Sequence, residues 1–245
     1  TWTPIGYSGV NTNAQHFAGV FDGDMHSISG VHIDKGVARL GLFGETATGC
    51  EIKNLELTNS YIRSLISTAS ICRTGSIVGN LNGSVKNVKC ASDVTVVGLG
   101  RCAGGIVGTV NSGSVENCWF DGKVQMARTS DVGTRKDMGG IVGGMYSDSG
   151  ATNCTITNCL VTGELDIAQT VGGICGYIHT NSTLNVSDTL FAGSFVEAKA
   201  TTVNGRGTVL GDVSRGKATL TNVYVQDGTG LSVKIGSAGN NVDTG

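Results

Sequence analysis

The chain has 245 residues, with 39 glycines, one proline, 15% charged and 5% aromatic residues, and a formal net charge of −2. Collagen is excluded, because glycine has no three-residue period and proline is nearly absent. The small net charge gives no basis for nucleic-acid binding, and no apolar run reaches membrane-spanning length.

From the N-terminus, Trp2-Thr3-Pro4-Ile5-Gly6 precedes Phe17-Ala18-Gly19-Val20-Phe21-Asp22-Gly23-Asp24-Met25-His26-Ser27-Ile28-Ser29-Gly30. Asp22-Gly23-Asp24 reads as an Asx-turn, with calcium the second reading, since no complete calcium-binding loop surrounds it. His26 belongs to the same turn and is expected to make a structural hydrogen bond.

A glycine-bounded box then recurs six times. It reads Gly41-Leu42-Phe43-Gly44, Ser76-Ile77-Val78-Gly79, Gly105-Ile106-Val107-Gly108, Gly140-Ile141-Val142-Gly143, Gly173-Ile174-Cys175-Gly176 and Thr208-Val209-Leu210-Gly211. Its closing glycines are separated by 35, 29, 35, 33 and 35 residues. A period in the low thirties means stacked units that share one core.

Between the boxes lies a second recurring element whose third position is Gly30, Asn54, Asn87, Asn117, Asn158, Asp188 or Asn222. Two places before this slot the residue is always aliphatic, and one and three places after it is mostly apolar. An unbroken strand keeps inward residues two apart. Here the gap is three, so the chain bends, and the slot holds only the residue types that best tolerate left-handed backbone angles. Stacked amides at this corner are expected to bond from rung to rung. A short alternating strand follows, such as Glu164-Leu165-Asp166-Ile167, then a variable loop, then the next box. The pattern predicts an all-β, right-handed parallel β-helix of about six to seven three-strand rungs, as one solenoid domain over 1–245. The abrupt start and glycine-rich end read as a fragment of a larger protein, with adjoining domains or chains at open solenoid ends.

These residues resemble the GLUG-repeat family, above all the stretch from Trp2 through Gly44. The resemblance implies a bacterial surface-attached or secreted protein, with members among adhesins and the non-catalytic parts of surface peptidases.

Eight cysteines lack metal-site spacing. Cys90, Cys118, Cys159 and Cys175 occupy aliphatic positions of the repeat and read as buried thiols. Cys72 and Cys102 precede the closing glycines of adjacent rungs by seven and six residues, so a cross-rung disulfide is expected of them. No metal site, cofactor, H-E-x-x-H or nucleophile elbow is read. The insertion from Met126 to Met138 holds Asp131, Arg135, Lys136 and Asp137, but no carboxylate pair at fixed separation.

Basic residues recur just before the boxes: Arg39, Arg73, Arg101, Arg135 with Lys136, and Arg206, with Gln169 interrupting. Aligned along one edge, they would form a stripe able to follow an anionic polysaccharide, or one that merely keeps the edge soluble. The loops at 60–74, 91–103, 124–138 and 197–206 are the expected contact surface. The leading function is a non-catalytic extracellular adhesin-type module contacting a host surface or glycan. A carbohydrate-binding module for anionic polysaccharide comes second and a polysaccharide lyase or hydrolase third; no nucleic-acid partner and no membrane insertion by this segment are expected.

Overall fold

The computed structural model describes residues 2–6, 15–66, 72–126, 136–146, 150–198, 203–231, 233–237 and 242–244. These hold strands and turns and no helix. The chain winds into a parallel β-solenoid of about six turns. Each turn feeds a long segment, such as Cys50–Thr58 or Val78–Cys90, into a 15-stranded sheet. It then feeds one strand into each of two six-stranded sheets. The first runs His32–Lys35, Tyr61–Ser64, Thr95–Gly98, Lys123–Met126, Glu164–Ile167, Ser194–Ala198. The second runs Arg39–Leu40, Arg73–Gly75, Cys102–Gly104, Asp137–Gly139, Thr170–Gly172, Gly205–Gly207.

In-register pairing turns the repeat into columns. The aliphatic residue two before the corner forms one of them: Ile52, Val85, Val115, Ile156, Val186 and Leu220 stack in sequence, all buried. Each such side chain contributes about 1.5–3 kcal/mol of burial, and only the neighbouring rungs supply the cover.

The corner is where the spacing placed it. Asn54, Asn87, Asn117, Asn158, Asp188 and Asn222 all have φ between 50° and 57° and lie in register. Their amides join rungs: Asn87 Nδ2 donates to Asn54 Oδ1 at 2.8 Å, Asn117 Nδ2 to Asn87 Oδ1 at 3.1 Å, and Asn222 Nδ2 to Asp188 Oδ1 at 2.9 Å. The first rung departs from the expected alignment. Gly30 is left-handed (φ 77°) but belongs to the following bend, because His26 rather than His32 pairs with Leu55. The first-rung corner is the wider turn Gly23-Asp24-Met25, with Asp24 and Met25 both left-handed. Asp22 Oδ1 accepts from Asp24 N–H and from Asn54 Nδ2, each at 3.0 Å, and so starts the ladder. This is the expected Asx-turn, and His26 Nδ1 lies 3.1 Å from Gly23 O within it.

The closing glycines serve a different need from the corner. Gly44, Gly79, Gly108, Gly143, Gly176 and Gly211 do not have positive φ. They stack in one column where the box strand folds back on the second six-stranded sheet, backbone against backbone. A Cβ on Gly79 would lie 2.6 Å from Leu40 N and 2.8 Å from Arg39 C; on Gly143, 2.6 Å from Ala103 C and 2.7 Å from Gly108 O. The opening box position differs from rung to rung: a Cβ on Gly105, Gly140 or Gly173 would collide with the carbonyl oxygen of Gly140, Gly173 or Thr208, respectively, on the next rung, whereas the second and last boxes place a hydroxyl there. Ser76 Oγ donates to Gly105 O of the next rung, and Thr208 Oγ1 to Val233 O.

Folding these strands together closes a second, smaller interior outside the main core. Cys102, Tyr146 and Tyr177 cluster there, with Tyr146 and Tyr177 rings 5.0 Å apart. Tyr146 OH donates to buried Asp137 at 2.6 Å, Asn80 Nδ2 to Glu45 Oε1 at 2.6 Å, and Thr109 Oγ1 to Asn80 Oδ1 at 2.7 Å.

All eight cysteines are buried and unbridged. Cys90, Cys118, Cys159 and Cys175 sit in the main core as their repeat positions required, and burial pushes the Cys90 and Cys175 thiols up to about 12. The expected Cys72–Cys102 disulfide is corrected. Cys102 stands opposite Arg73, one residue beyond Cys72. Successive strand residues face opposite ways, so a one-residue offset separates the two thiols.

Gly143→Ala should lower stability by about 1–3 kcal/mol or more, the usual cost of overpacking, whereas Gly36→Ala, which meets nothing within 4 Å, should unfold at nearly the wild-type urea midpoint. At the corner, Asn87→Ala should destabilise by roughly 1–2 kcal/mol more than Asn87→Gly, because only alanine adds the left-handed penalty to the lost amide bonds. Equal midpoints for that pair would show that backbone handedness is not what the slot selects.

Candidate functional site

The second six-stranded sheet brings the basic residues to one edge, but turns them inward. Arg39 pairs in register with Arg73, while Arg101 and Lys136 fall one residue earlier and Arg206 one later. Arg39 Nε lies 3.2 Å from Glu45, which also meets His16 at 3.3 Å. Arg73 is only 2% exposed and Lys136 8%. The Lys136 ammonium donates to Leu99 O, Arg206 Nε donates to Ala168 O at 3.0 Å, and the Arg101 guanidinium sits 4.1 Å from the Tyr146 ring centre. Arg135 lies outside the described residues, as do 67–71, 127–134 and 199–202 of the expected contact loops. The solvent-facing basic stripe is therefore corrected. Arg39 and Arg73 share a column with Cys102 and Asp137 at the second interior, and Arg101 reaches its Tyr146 ring, whereas Lys136 and Arg206, offset by one residue, bond backbone carbonyls.

The opposite side of the molecule, beyond the asparagine corner, carries a different surface. The residue two places after the corner slot faces outward on every rung, giving Ser27, Glu56, Lys89, Trp119, Leu160, Leu190 and Tyr224 in register. Along this column the chemistry changes from ionic to apolar. Glu56 accepts from Lys89 Nζ at 2.8 Å and from Ser27 Oγ at 3.0 Å. These two bonds, Lys89 first, hold its carboxyl below the usual range. The same ammonium lies 4.8 Å from the Trp119 ring centre. Trp119 Nε1 donates to Thr162 Oγ1 at 2.7 Å, and Thr162 in turn donates to Asp121 Oδ1. The indole is thus fixed from both sides, yet remains 36% exposed. Beyond it Leu190 and Tyr224 are exposed, Tyr224 at 61%.

A cleft of about 490 Å³ opens at the junction. Leu55 and Val88 form its floor, Met25 and Trp119 its apolar walls, and Asn87, Asn117, Glu56 and Lys89 its polar edge. Met25 stands at the left-handed first corner with 72% of its surface exposed. Across the corner, the strand face carries Thr155, Asn185 and Thr219 in one column and Thr157, Ser187 and Thr221 in the next.

Sequence reasoning missed this surface, although its signal was present. Attention to the inward positions one and three after the asparagine slot left the outward position between them unread. That position alone reads Glu56, Lys89, Trp119, Leu160, Leu190, Tyr224.

No family model matches the chain. A 100-residue stretch, 40% of the chain, is 37% identical to halomucin of Haloquadratum walsbyi, and spans about 1% of that protein's length. A solved structure from Bacteroides ovatus, provisionally described as an immunoglobulin A1 protease, superposes with a TM-score of 0.72 at 21% identity, covering all of this chain and 72% of that one. That likeness shows the solenoid fold alone. No helix among the described residues is long and apolar enough to cross a membrane.

Lys89→Ala should let the Glu56 carboxyl titrate nearer its ordinary value, readable by carboxylate NMR. The sign follows from the depressed folded-state pKa: whatever stability the pair contributes is present above the unfolded value and lost as pH falls through the folded one. An unchanged Glu56 titration would mean that Lys89 does not hold it.

Proposed function

We propose that the chain is a non-catalytic module of a surface-attached or secreted protein, a rigid scaffold that presents a contact surface to a host surface or glycan. The observation that carries this reading is the outward column from Trp119 to Tyr224, exposed at Trp119, Leu190 and Tyr224 and half-buried at Leu160, held on a continuous parallel backbone ladder. In a solenoid the inward residues make the fold, and the outward ones are free to be chosen for contact. Large apolar side chains repeated on one outward column serve no packing need within the rung. The resemblance to GLUG-repeat proteins and the partial similarity to halomucin support an extracellular setting.

A carbohydrate-binding module is the second reading, and the aromatic column favours it. Its anionic form loses support, because Arg39, Arg73 and Lys136 face inward or are paired. A lyase or hydrolase centred on the Met126–Met138 insertion draws no support from Asp137, which is buried and bonded to Tyr146.

Antibody raised against this chain should label intact producing cells or their culture medium, and protease added to intact cells should remove the label. Protection of the epitope until the cells are lysed would overturn the extracellular reading.

A further inference from the structure

We infer that the cleft between Met25 and Trp119 binds a neutral saccharide chain, which runs along the solenoid axis and continues over Leu160, Leu190 and Tyr224. The inference deepens the surface-module reading and rests on it for biological setting, though not for its chemistry.

A sugar ring has apolar C–H faces and a hydroxyl rim, so its site needs a flat apolar platform with polar groups at the edge. The cleft supplies both, with Trp119 as platform and Met25 as facing wall. The Asn87 and Asn117 amides, the Glu56 carboxylate and the Lys89 ammonium line the rim. Each asparagine uses one amide proton in the ladder and retains a second donor. The hydrogen bond to Thr162 and the ammonium of Lys89 hold Trp119 in place before any ligand arrives. Little side-chain entropy is then lost on binding.

Charge decides against a polyanion. Lys89 is held by Glu56, Lys86 lies between Glu51 and Glu116, and Lys53 lies between Glu51 and Asp22. The neighbouring columns offer threonine, serine and asparagine. Shape favours a chain over a compact ligand. Met25 and Trp119 are three rung steps apart, about 14 Å at the usual strand spacing. The apolar column runs three further steps to Tyr224 in the same direction.

The test is tryptophan-fluorescence titration of the full chain, in a Trp2→Phe background, with cellohexaose, laminarihexaose, mannohexaose and xylohexaose. Polygalacturonate and hyaluronan serve as acidic counterparts, with sedimentation run in parallel. At least one neutral hexasaccharide should bind, and a roughly tenfold rise in salt should change its affinity less than about twofold. Trp119→Ala, which removes the last tryptophan of that background and is therefore followed by isothermal titration calorimetry, should weaken it about tenfold or more. Glu56→Gln, which keeps the indole, should weaken it while leaving circular dichroism unchanged, so loss of folding in the first variant does not hide the result. Binding to none of the neutral probes overturns the proposal, as does binding to acidic polymers alone. A shift to monomer on Trp119→Ala would instead assign the face to a second copy of this chain and overturn it too. Because the titration uses purified protein, its failure leaves the cell-labelling result standing, and the reverse also holds.

Discussion

Contact between two backbones with no side chain between them, along Gly44 to Gly211, is the constraint on which the cross-section depends. It folds the box strand onto the second six-stranded sheet and turns their outward faces toward each other. Whatever those faces carry is then withdrawn from water. A charge in such a place is costly unless a partner meets it. The seam answers with Glu45 against Arg39 and His16, with Asp137 against Tyr146, and with Arg101 over an aromatic face. Residues that look like a soluble edge in sequence become the wall of a second interior.

The asparagine corner solves a complementary problem. A left-handed residue lets the chain turn while keeping the aliphatic residues on both sides pointed inward. The exposed amide left at the turn then bonds to the same amide one rung away. The ladder has a direction, with the Asn54, Asn87, Asn117 and Asn222 amides each donating toward the N-terminal rung. Asp22, which can only accept when ionised, suits the position where that direction ends. Its two hydrogen bonds, from the Asp24 backbone and then from Asn54, hold its carboxyl below the ordinary range.

Because the corner and the glycine column together fix the rung, the outward residues past the corner carry little structural duty. Their variation from Glu56 and Lys89 to Leu190 and Tyr224 is therefore not dictated by the geometry of the rung. The parallel ladder spaces those side chains evenly, and the cleft forms where the wider first turn sets Met25 beside the straight column. One irregularity in an otherwise regular solenoid thus shapes the candidate site.

Sequence alone determined the repeat, the aliphatic columns and the corner slot. Each follows from a local demand: a left-handed angle that asparagine tolerates, or an inward position that only an apolar residue can fill. It also located the buried thiols Cys90, Cys118, Cys159 and Cys175. The depth of Arg73, the separation of Cys72 from Cys102 and the reassignment of Gly30 were decided only by tertiary structure. Each turns on register or on the meeting of two strands far apart in the chain, and in a β-structure a shift of one residue exchanges inside for outside.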